Sequence, residues 1–344
     1  MPDTDVLVVG GGPVGLAAAV EARRRGLEVV VLEPRAGTVD KACGEGLMPG
    51  ALRLLQEWDL DPVGHTLAGI SYRSPAGHVD HRFRGPAGRG VRRTTLHDAL
   101  RERAAALGAT TVAGRATGVR VTPDGVVVAG ISARYLLACD GLHSTVRRLL
   151  GVERPVPAGR DRVDRRRYGL RRHYRLAPWT DLVEVHWSRD AEAYVTPVAP
   201  DLVGVAVLGR RGAGLDAALD GFPELAGRLH GALPAGPVRG AGPLRQRSTR
   251  RAVGPVRLVG DASGYVDALT GEGLRVGFAQ ARAAVATLDD PAAYERAWRA
   301  ASRDYRLITS ALVAWATSPM RPALVPVARR SPALFGAVVE RLAR

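Results

Sequence analysis

The chain has 344 residues, more than the ~250–300 at which one hydrophobic core usually stops growing, so we expect two lobes in one polypeptide. Hydrophobic residues make up 46% and charged residues 24%, a balance that excludes a disordered chain and a membrane-embedded bundle. The net charge is +15, but no zinc-ligand spacing, helix-turn-helix pattern or basic-aromatic interleaving accompanies it, so no nucleic-acid partner is predicted. The charge indicates either a solvated basic surface or steering of anionic ligands, among them an acidic carrier protein.

The sequence carries no signal of export or membrane insertion. Residues 1–5 lack the basic region and apolar run of a signal peptide, and Cys43 and Cys139 are the only cysteines. Both features predict a reducing cytoplasm. The most apolar late stretch, Leu307 to Met320, is too short to cross a bilayer. The eight histidines show no metal-ligand spacing, and we predict no metal site.

The first half of the chain alternates buried strands with helices, which predicts an α/β fold. Buried-type strands are expected at Asp5–Gly10 and Leu27–Leu32, around a helix at Pro13–Arg25. Two more helices are predicted at Leu47–Trp58 and Thr95–Leu107, the second with Thr94 or Thr95 as its N-cap. Short β-type runs follow from Val112 to Leu137, with a hairpin turn at Pro123-Asp124-Gly125.

The second half changes character. Leu182–Trp187 and Ala193–Val207 alternate like antiparallel strands, which suits a sheet lying across a substrate cavity. A helix is expected at Leu215–Leu233, and a buried strand at Val256–Asp261 that rejoins the first sheet. From Leu274 onward nearly everything is predicted to be helical, with breaks around Pro319–Pro326 and at Pro332.

A glycine-rich turn follows the first strand. In Gly10-Gly11-Gly12-Pro13-Val14-Gly15, the glycines permit a tight turn, close approach of a pyrophosphate and close packing of helix on strand. The helix amino end presents free N–H groups to phosphate. Glu33, at the end of the second strand, is placed to accept ribose hydroxyls. The constellation predicts a dinucleotide site but leaves NAD and FAD both open.

Two later motifs decide between them. Asp140-Gly141, with Ser144 and Arg147 at fixed spacing, resembles the Asp-Gly motif of flavoprotein monooxygenases. Gly260-Asp261, continuing to Thr270-Gly271-Glu272-Gly273, resembles the Gly-Asp motif of the same superfamily, although Ala268 and Leu269 stand where a proline is common. The resemblance implies FAD as cofactor and NAD(P)H as reductant. It also implies the p-hydroxybenzoate hydroxylase fold: a Rossmann-type FAD-binding domain, a β-sheet substrate domain and C-terminal helices.

This fold implies interleaved domains. The FAD-binding domain is expected at 1–60, 93–160 and 251–288, the substrate domain at 61–92 and 161–250, and a C-terminal helical segment at 289–344. The aromatic residues of that last segment either cap the substrate pocket or form a helical core.

The loop Lys41-Ala42-Cys43-Gly44-Glu45-Gly46-Leu47 is similar to a Cys-Gly-Glu-Gly loop of geranylgeranyl reductases and related hydroxylases, where it lies near the isoalloxazine ring. Cys43 is then either a redox or proton-relay group or a buried filler. Tyr194 to Pro197 resembles the segment that brings a proline near the flavin, so Tyr194 and Pro197 join Cys43 as catalytic candidates. Arg93, with Arg92 as its rival, is expected to contact the FAD phosphates. The resemblance implies these cofactor-binding residues: Gly10, Gly12, Pro13, Gly15, Glu33, Arg35, Lys41, Cys43, Gly44, Arg93, Asp140, Gly260, Asp261, Gly271 and Gly273.

The leading hypothesis is an FAD-dependent monooxygenase that hydroxylates or epoxidises an apolar or aromatic small molecule through a flavin C4a-hydroperoxide, in specialised metabolism. A geranylgeranyl reductase-like reduction of isoprenoid double bonds is the alternative, and a non-enzymatic flavoprotein is the third hypothesis. A separate reductase as partner stays open. Halogenation is not predicted, because flavin halogenases carry a Trp-x-Trp-x-Ile-Pro segment and need a lysine to capture hypohalous acid. This chain lacks that segment, and its only lysine, Lys41, belongs to the flavin loop.

Overall fold

The computed structural model describes residues 2–154, 166–212 and 214–344. Its strands are, in chain order, β1 (Thr4–Val9), β2 (Val29–Glu33), β3 (Gly46–Leu47), β4 (His65–Leu67), β5 (Gly69–Ser74), β6 (Gly77–Arg82), β7 (Gly88–Gly90), β8 (Thr110–Ala113), β9 (Arg120–Thr122), β10 (Gly125–Val128), β11 (Ile131–Ala138), β12 (Arg167–Arg175), β13 (Leu182–Trp187), β14 (Glu192–Ala199), β15 (Leu202–Arg210), β16 (Leu233–Pro234), β17 (Arg239–Ala241), β18 (Ala252–Val253) and β19 (Val256–Leu258). Its α-helices are α1 (Pro13–Arg24), α2 (Pro49–Gln56), α3 (Arg93–Ala106), α4 (Thr145–Leu149), α5 (Leu215–Leu219), α6 (Pro223–Leu229), α7 (Gly273–Ala286), α8 (Pro291–Ala316), α9 (Leu324–Arg330) and α10 (Pro332–Ala343). Single 3-10 turns occupy Gly260–Ser263 and Arg321–Ala323.

The first sheet is mostly parallel. Its main order is β18-β19-β11-β1-β2-β8, with β1 parallel to both β2 and β11, and β11 parallel to β19. The strands are rich in valine and leucine because both faces are covered. Helices α1, α3, α7 and α8 pack on one face, while the β9–β10 hairpin and α4 cover the other. The predicted return of the chain to this sheet at β19 is confirmed, as is the hairpin at Pro123-Asp124-Gly125.

The second sheet is mainly antiparallel, in the order β16-β12-β15-β14-β13-β5-β6. Side chains alternate between its two faces, as in any strand. One face packs on α5 and α6 through Val195, Val203 and Val205. The other face, with Val185 and Trp187, turns towards the C-terminal helices α8 and α9. The sequence prediction of an α/β fold with a Rossmann-type unit, a second sheet and C-terminal helices is confirmed in this arrangement.

A small third sheet lies between the other two. It has the order β3-β7-β4 and pairs the end of the loop 41–47 with Gly88–Gly90. In the described part of the chain, no helix is long and apolar enough to cross a membrane. The same residues contain no group of three or more His, Cys, Asp or Glu side chains arranged to hold a metal ion.

Several predicted elements differ from the structure in their ends or continuity. The strand predicted at Val256–Asp261 ends at Leu258, before the 3-10 turn. Helix α3 begins at Arg93 with Arg92 at the N-cap, so neither Thr94 nor Thr95 caps it. The predicted helix at Leu215–Leu233 is two short helices, because Pro223 cannot continue the first one and starts the second. A break at 287–290 was not predicted; there the Asp290 side chain accepts the Ala293 N–H and Pro291 takes the first helical position. The predicted boundary between residues 160 and 161 lies outside the described residues.

Candidate active site

Three of the sequence motifs meet at one edge of the parallel sheet. Gly10 follows β1, Asp140 follows β11 and Gly260 follows β19, so all three lie beyond the carboxyl ends of neighbouring strands. The strand order reverses between β1 and β11, which is where α/β sheets bind nucleotides. A cavity of about 1580 Å³ opens at this edge and extends between the second sheet and the C-terminal helices.

The glycine turn leaves room where a phosphate would lie. A Cβ on Gly10, whose φ is +105°, would come within 2.5 Å of the Cys139 carbonyl oxygen, and one on Gly15 within 1.9 Å of the Gly10 carbonyl oxygen. These two glycines therefore allow close packing and do not line the cavity. Gly12 and Pro13 do line it. A Cβ on Gly12 would meet only the Arg93 guanidinium, at 3.9 Å, so the amino end of α1 faces open space.

Glu33 is buried at the end of β2. Its carboxylate accepts the Gly11 N–H at 2.7 Å and forms a salt bridge with Arg35, whose Nε lies 2.6 Å from Oε1. Burial alone would raise the pKa of Glu33, but the hydrogen bonds from Arg35 and Gly11 lower it below the usual value. Glu33 is thus held ionised and fixes the glycine turn, although neither Glu33 nor Arg35 lines the cavity.

Arg93, and not its neighbour Arg92, faces the cavity. Its guanidinium lies beside Gly12, and its buried Nε has no hydrogen-bond partner among the described residues. A buried donor without a partner is costly unless a ligand completes it. The Arg93 side chain is therefore placed to receive an anion at the amino end of α1.

Asp140 has a structural task. Its carboxylate accepts the Ser144 hydroxyl at 2.5 Å and the Val146 N–H at 3.0 Å, which holds the start of α4. Arg147, almost fully buried, donates to the Ala262 carbonyl oxygen at 3.1 Å. Arg147 thus fastens the Asp-Gly motif to the Gly-Asp motif, and Asp140 and Gly141 also line the cavity.

Asp261 differs from Asp140. Its side chain lines the cavity and makes no hydrogen bond to the residues that the structure describes. Burial raises the pKa of the Asp261 carboxyl, and the positive charges of Arg93, Lys41 and Arg147 oppose that rise. Gly260 before it adopts a φ of +63° and does not reach the cavity. Asp261 is therefore an acceptor that faces the cleft and is free to bind a hydroxyl group.

The segment Gly271-Glu272-Gly273 leads into α7 along the cavity wall. Glu272 is buried; one carboxylate oxygen pairs with Arg275, and the other has no partner within the described chain. Burial raises the pKa of Glu272 to about 7, although Arg275 lowers it in part. A carboxyl group that titrates near neutrality therefore lies beside the amino end of α7. No sequence signal marked this property.

The loop 41–47 is tied to the second sheet by three contacts that sequence reasoning missed. Thr196 donates its hydroxyl to the Gly44 carbonyl oxygen at 2.8 Å, and Arg171 donates to the Lys41 carbonyl oxygen at 2.9 Å. The third contact is a buried pair, with His173 Nε2 2.5 Å from Glu45 Oε2. Glu45 adopts a left-handed φ of 61°, and its other oxygen accepts the Arg93 N–H at 2.8 Å. Glu45 therefore joins the loop, helix α3 and the second sheet.

Cys43 and Lys41 both line the cavity. Cys43 is half-buried, with a free thiol whose sulfur lies 3.4 Å from the Glu45 nitrogen. Desolvation lowers the pKa of Lys41, and the positive charges of Arg35 and Arg93 lower it further. Gly44 is exposed, and a Cβ added to it would meet nothing within 4 Å, so the backbone at this point is open to a planar ligand.

The far half of the cavity is apolar. Tyr194 lines it and donates its hydroxyl to the Leu269 carbonyl oxygen at 2.9 Å. Pro197 does not line it; its carbonyl faces Gly90 of the third sheet. The remaining wall, which we call the apolar chamber, combines side chains of the second sheet and the C-terminal helices: Ile70, Tyr72, Val183, Val185, Leu312, Trp315, Leu324, Phe335, Val339 and Leu342.

The C-terminal aromatic residues divide between the two predicted roles. Trp315 and Phe335 line the apolar chamber. Trp298 and Tyr305 are buried away from it, where Trp298 donates to the Ser263 hydroxyl at 2.8 Å and Tyr305 to the Asp267 carbonyl oxygen at 3.0 Å. The second pair belongs to the core and supports the Gly-Asp segment from behind.

Comparison with known proteins identifies the first part of the chain. Residues 3–164 match the family model described as "FAD binding domain". The rifampicin monooxygenase of Streptomyces venezuelae is 36% identical over 167 residues, which are 44% of this chain and 34% of that protein. The menaquinone reductase of Mycobacterium tuberculosis is 34% identical over 164 residues, 43% of this chain and 40% of that protein. The matched segments thus span about a third to two-fifths of the length of these relatives.

The whole chain has the fold of solved flavoenzymes. A flavin-dependent brominase superposes with a TM-score of 0.82 over 99% of this chain and 93% of its own, at 17% identity, a likeness that shows the fold alone. The sequence matches and the fold agree with the three motifs at the sheet edge. Residues 3–164 therefore carry an FAD-binding domain, and the predicted resemblance to flavoprotein monooxygenases is confirmed by the sequence matches. A geranylgeranyl reductase-like protein, at 20% identity, shares the fold.

Proposed function

We propose that the protein is an FAD-dependent monooxygenase that inserts oxygen into an apolar or aromatic small molecule. The observation that carries the proposal is the continuity of one cavity, which runs from the glycine turn and Asp261 to the apolar chamber. The rifampicin monooxygenase relative supports this reaction class.

The residues fit FAD. An open helix amino end with the partnerless Arg93 Nε suits a pyrophosphate, and the cleft-facing carboxylate of Asp261 suits a ribityl hydroxyl. Glu33, paired with Arg35, would keep the glycine turn in shape for the nucleotide, while Lys41, Cys43 and Gly44 would lie along the isoalloxazine ring. Gly271 and Gly273 would border its pyrimidine edge, where the amino end of α7 stabilises negative charge.

When bound and reduced by NAD(P)H, FAD would supply the electrons and the activation of O₂. The protein's own contribution is orientation and exclusion of water. Tyr72 and Val185 offer apolar walls that would hold the substrate, and Trp315 and Phe335 would close the chamber from the helical side. The net charge of +15 would favour approach of anionic NAD(P)H, a separate reductase or an acidic carrier protein.

Reduction of a carbon–carbon double bond is the second candidate function. The loop Cys43-Gly44-Glu45-Gly46 favours it, and the similarity to a menaquinone reductase favours a reductive reaction in general.

An isotope experiment separates the two functions. Protein reconstituted with FAD would be given NADH or NADPH and a library of apolar and aromatic compounds that starts with rifampicin and menaquinone. Mass spectrometry under ¹⁸O₂ should show one ¹⁸O atom in a product. A product that gains two hydrogens in anaerobic buffer, and keeps them when air has reoxidised any quinol, would instead establish the reductase. Protein that does not bind FAD at micromolar concentration would overturn both. If NAD(P)H fails to reduce the bound flavin whichever compound is present, a non-enzymatic flavoprotein would be favoured.

A further inference from the structure

Large apolar side chains are exposed where the apolar chamber reaches the surface. Leu334 is 63% exposed and Val327 38% exposed, and both also line the cavity. Met320 is 63% exposed, and its carbonyl oxygen accepts the indole N–H of the chamber residue Trp315 at 2.8 Å. We call Met320, Val327 and Leu334 the C-terminal rim. Exposed apolar side chains grouped at a cavity mouth indicate a binding surface.

The rim leads directly inward. On α9 and α10, the positions that line the cavity recur at helical spacing, from Leu324 and Val327 to Leu334, Phe335 and Val338. Leu324 and Phe335 are buried while Val327 and Leu334 are exposed. An apolar molecule can therefore pass from the rim to the chamber along a continuous apolar wall.

Positive charge accompanies the rim. Arg330 is exposed and follows Val327 by three residues, so it lies on the same side of α9. The neighbouring Arg329 is exposed as well, whereas Arg321 is buried against Glu192 and Arg341 pairs with Asp304. The one acidic residue within 318–344, Glu340, is already paired with His81. The surface around the mouth is thus both apolar and basic, in a chain whose net charge is +15.

We propose that the C-terminal rim docks on an anionic lipid bilayer, from which an elongated apolar substrate enters the chamber. An anionic headgroup layer complements Arg330, and Met320 and Leu334 would insert at the level of the acyl boundary. A second copy of this chain suits the surface less well, because pairing two rims would bring their arginines together. Only the statement about substrate entry depends on the proposed function.

Vesicle co-sedimentation tests the docking. FAD-loaded full-length protein should sediment with phosphatidylglycerol vesicles, and far less with phosphatidylcholine vesicles. Leu334→Glu and Met320→Glu should each weaken that binding about tenfold, and Arg330→Gln about fivefold. Leu233→Glu is the matched control, because Leu233 is 67% exposed on an edge strand away from the rim. It should bind vesicles like the unmodified protein.

Absence of sedimentation with anionic vesicles would overturn the proposal, as would equal losses in Leu334→Glu and Leu233→Glu. Size-exclusion chromatography of the same variants identifies the competing occupant. A dimer that Leu334→Glu converts to a monomer would assign the rim to a second copy. FAD retention by every variant separates these outcomes from failure of the proposed oxidoreductase activity.

Discussion

Two aspartates follow strands of the same sheet and yet have different surroundings. The Asp140 carboxylate accepts hydrogen bonds from Ser144 and Val146, whereas the Asp261 carboxylate accepts none from the described residues and Asp261 lines the cleft. The motifs make both residues equal candidates for cofactor binding, and only the fold separates a structural role from a binding role.

Substitution of each aspartate by alanine should separate these roles. Asp140→Ala should lower the free energy of unfolding of the apoprotein by about 1–2 kcal/mol, because the N-cap Ser144 and the Val146 N–H at the start of α4 both lose their acceptor. Asp261→Ala should leave that stability unchanged or higher, since it removes a buried carboxyl whose pKa is raised. It should weaken FAD binding at least about tenfold. Urea unfolding and flavin fluorescence titration measure the two quantities. Equal FAD affinity in Asp261→Ala would remove Asp261 from the site.

Glu272 makes stability depend on pH. Its pKa is about 7 in the folded protein, above the ordinary value of 4.5. Between these two pH values the folded state therefore keeps a proton on Glu272 that the unfolded chain has released. The contribution of Glu272 to stability is therefore present below pH 4.5 and is lost as pH rises towards 7. Glu272→Gln should stabilise the apoprotein little near pH 5 and by up to about 3 kcal/mol at pH 8. Urea unfolding at both pH values tests this, and an equal effect at both would contradict it.

Two buried histidine–glutamate pairs offer a matched comparison. His173 pairs with Glu45 of the flavin loop, and His186 pairs with Glu184 on the face of the second sheet away from the cavity. His173→Asn should weaken FAD binding by the apoprotein about tenfold, because the loop loses its buried side-chain hydrogen bond to the second sheet. His186→Asn should lower the free energy of unfolding about as much as His173→Asn does, and it should leave FAD affinity intact. Loss of FAD affinity in both variants would show a general effect of losing a buried hydrogen bond.

The roles of single residues could be predicted from the sequence where the residues of a motif lie close together in the chain. The glycine turn and Glu33 lie within 24 residues of each other, and their backbone requirements follow from the residue types. Glu45 and His173 are 128 residues apart, and no periodicity links them. Pro197 resembled a flavin contact, but the strand that carries it turns the residue away from the cavity. Which of two neighbouring arginines faces a ligand likewise depends on where α3 begins.

The start of α3 shows how tertiary contacts replace local signals at the scale of elements. A threonine before the helix is an ordinary N-cap, and the sequence offers two. The Glu45 carboxylate, from a loop 48 residues earlier, accepts the Arg93 N–H in their place. This moves the helix start to Arg93 and thereby fixes the backbone of a residue in the proposed phosphate site.

A buried charge network joins elements that are distant in sequence. Glu192 of β14 pairs with Arg167 of β12 at 2.7 Å and with Arg321, before α9, at 2.7 Å, while Arg167 also pairs with Asp267 at 2.9 Å. Arg321→Ala should lower the free energy of unfolding by about 3 kcal/mol, because it leaves the buried carboxylate short of a partner. Arg330→Ala is the exposed control and should change stability by less than about 0.5 kcal/mol. Urea unfolding of both variants checks the difference, and similar values would mean that the network contributes nothing.

At the scale of the molecule, the cofactor half could be predicted and the apolar chamber could not. Buried strands followed by glycine and aspartate place their motifs at one sheet edge, whichever loops connect them. The chamber is assembled from β5, β13 and three C-terminal helices. Its side chains are ordinary apolar residues, which in the sequence cannot be distinguished from those of a solid core. Trp298 and Trp315 illustrate this, since one lies in the core and the other lines the chamber.

The part of the chamber wall that α9 and α10 supply can change separately from the cofactor site. Helices α9 and α10 supply much of the wall that a substrate would touch, while the residues proposed to hold the nucleotide all precede position 274. Changes confined to the last twenty or so positions could therefore retune which molecules are accepted without disturbing electron supply. Exchange of that stretch between homologous chains would transfer substrate selectivity with it, provided that the donor keeps an arginine equivalent to Arg321, which anchors the stretch to Glu192.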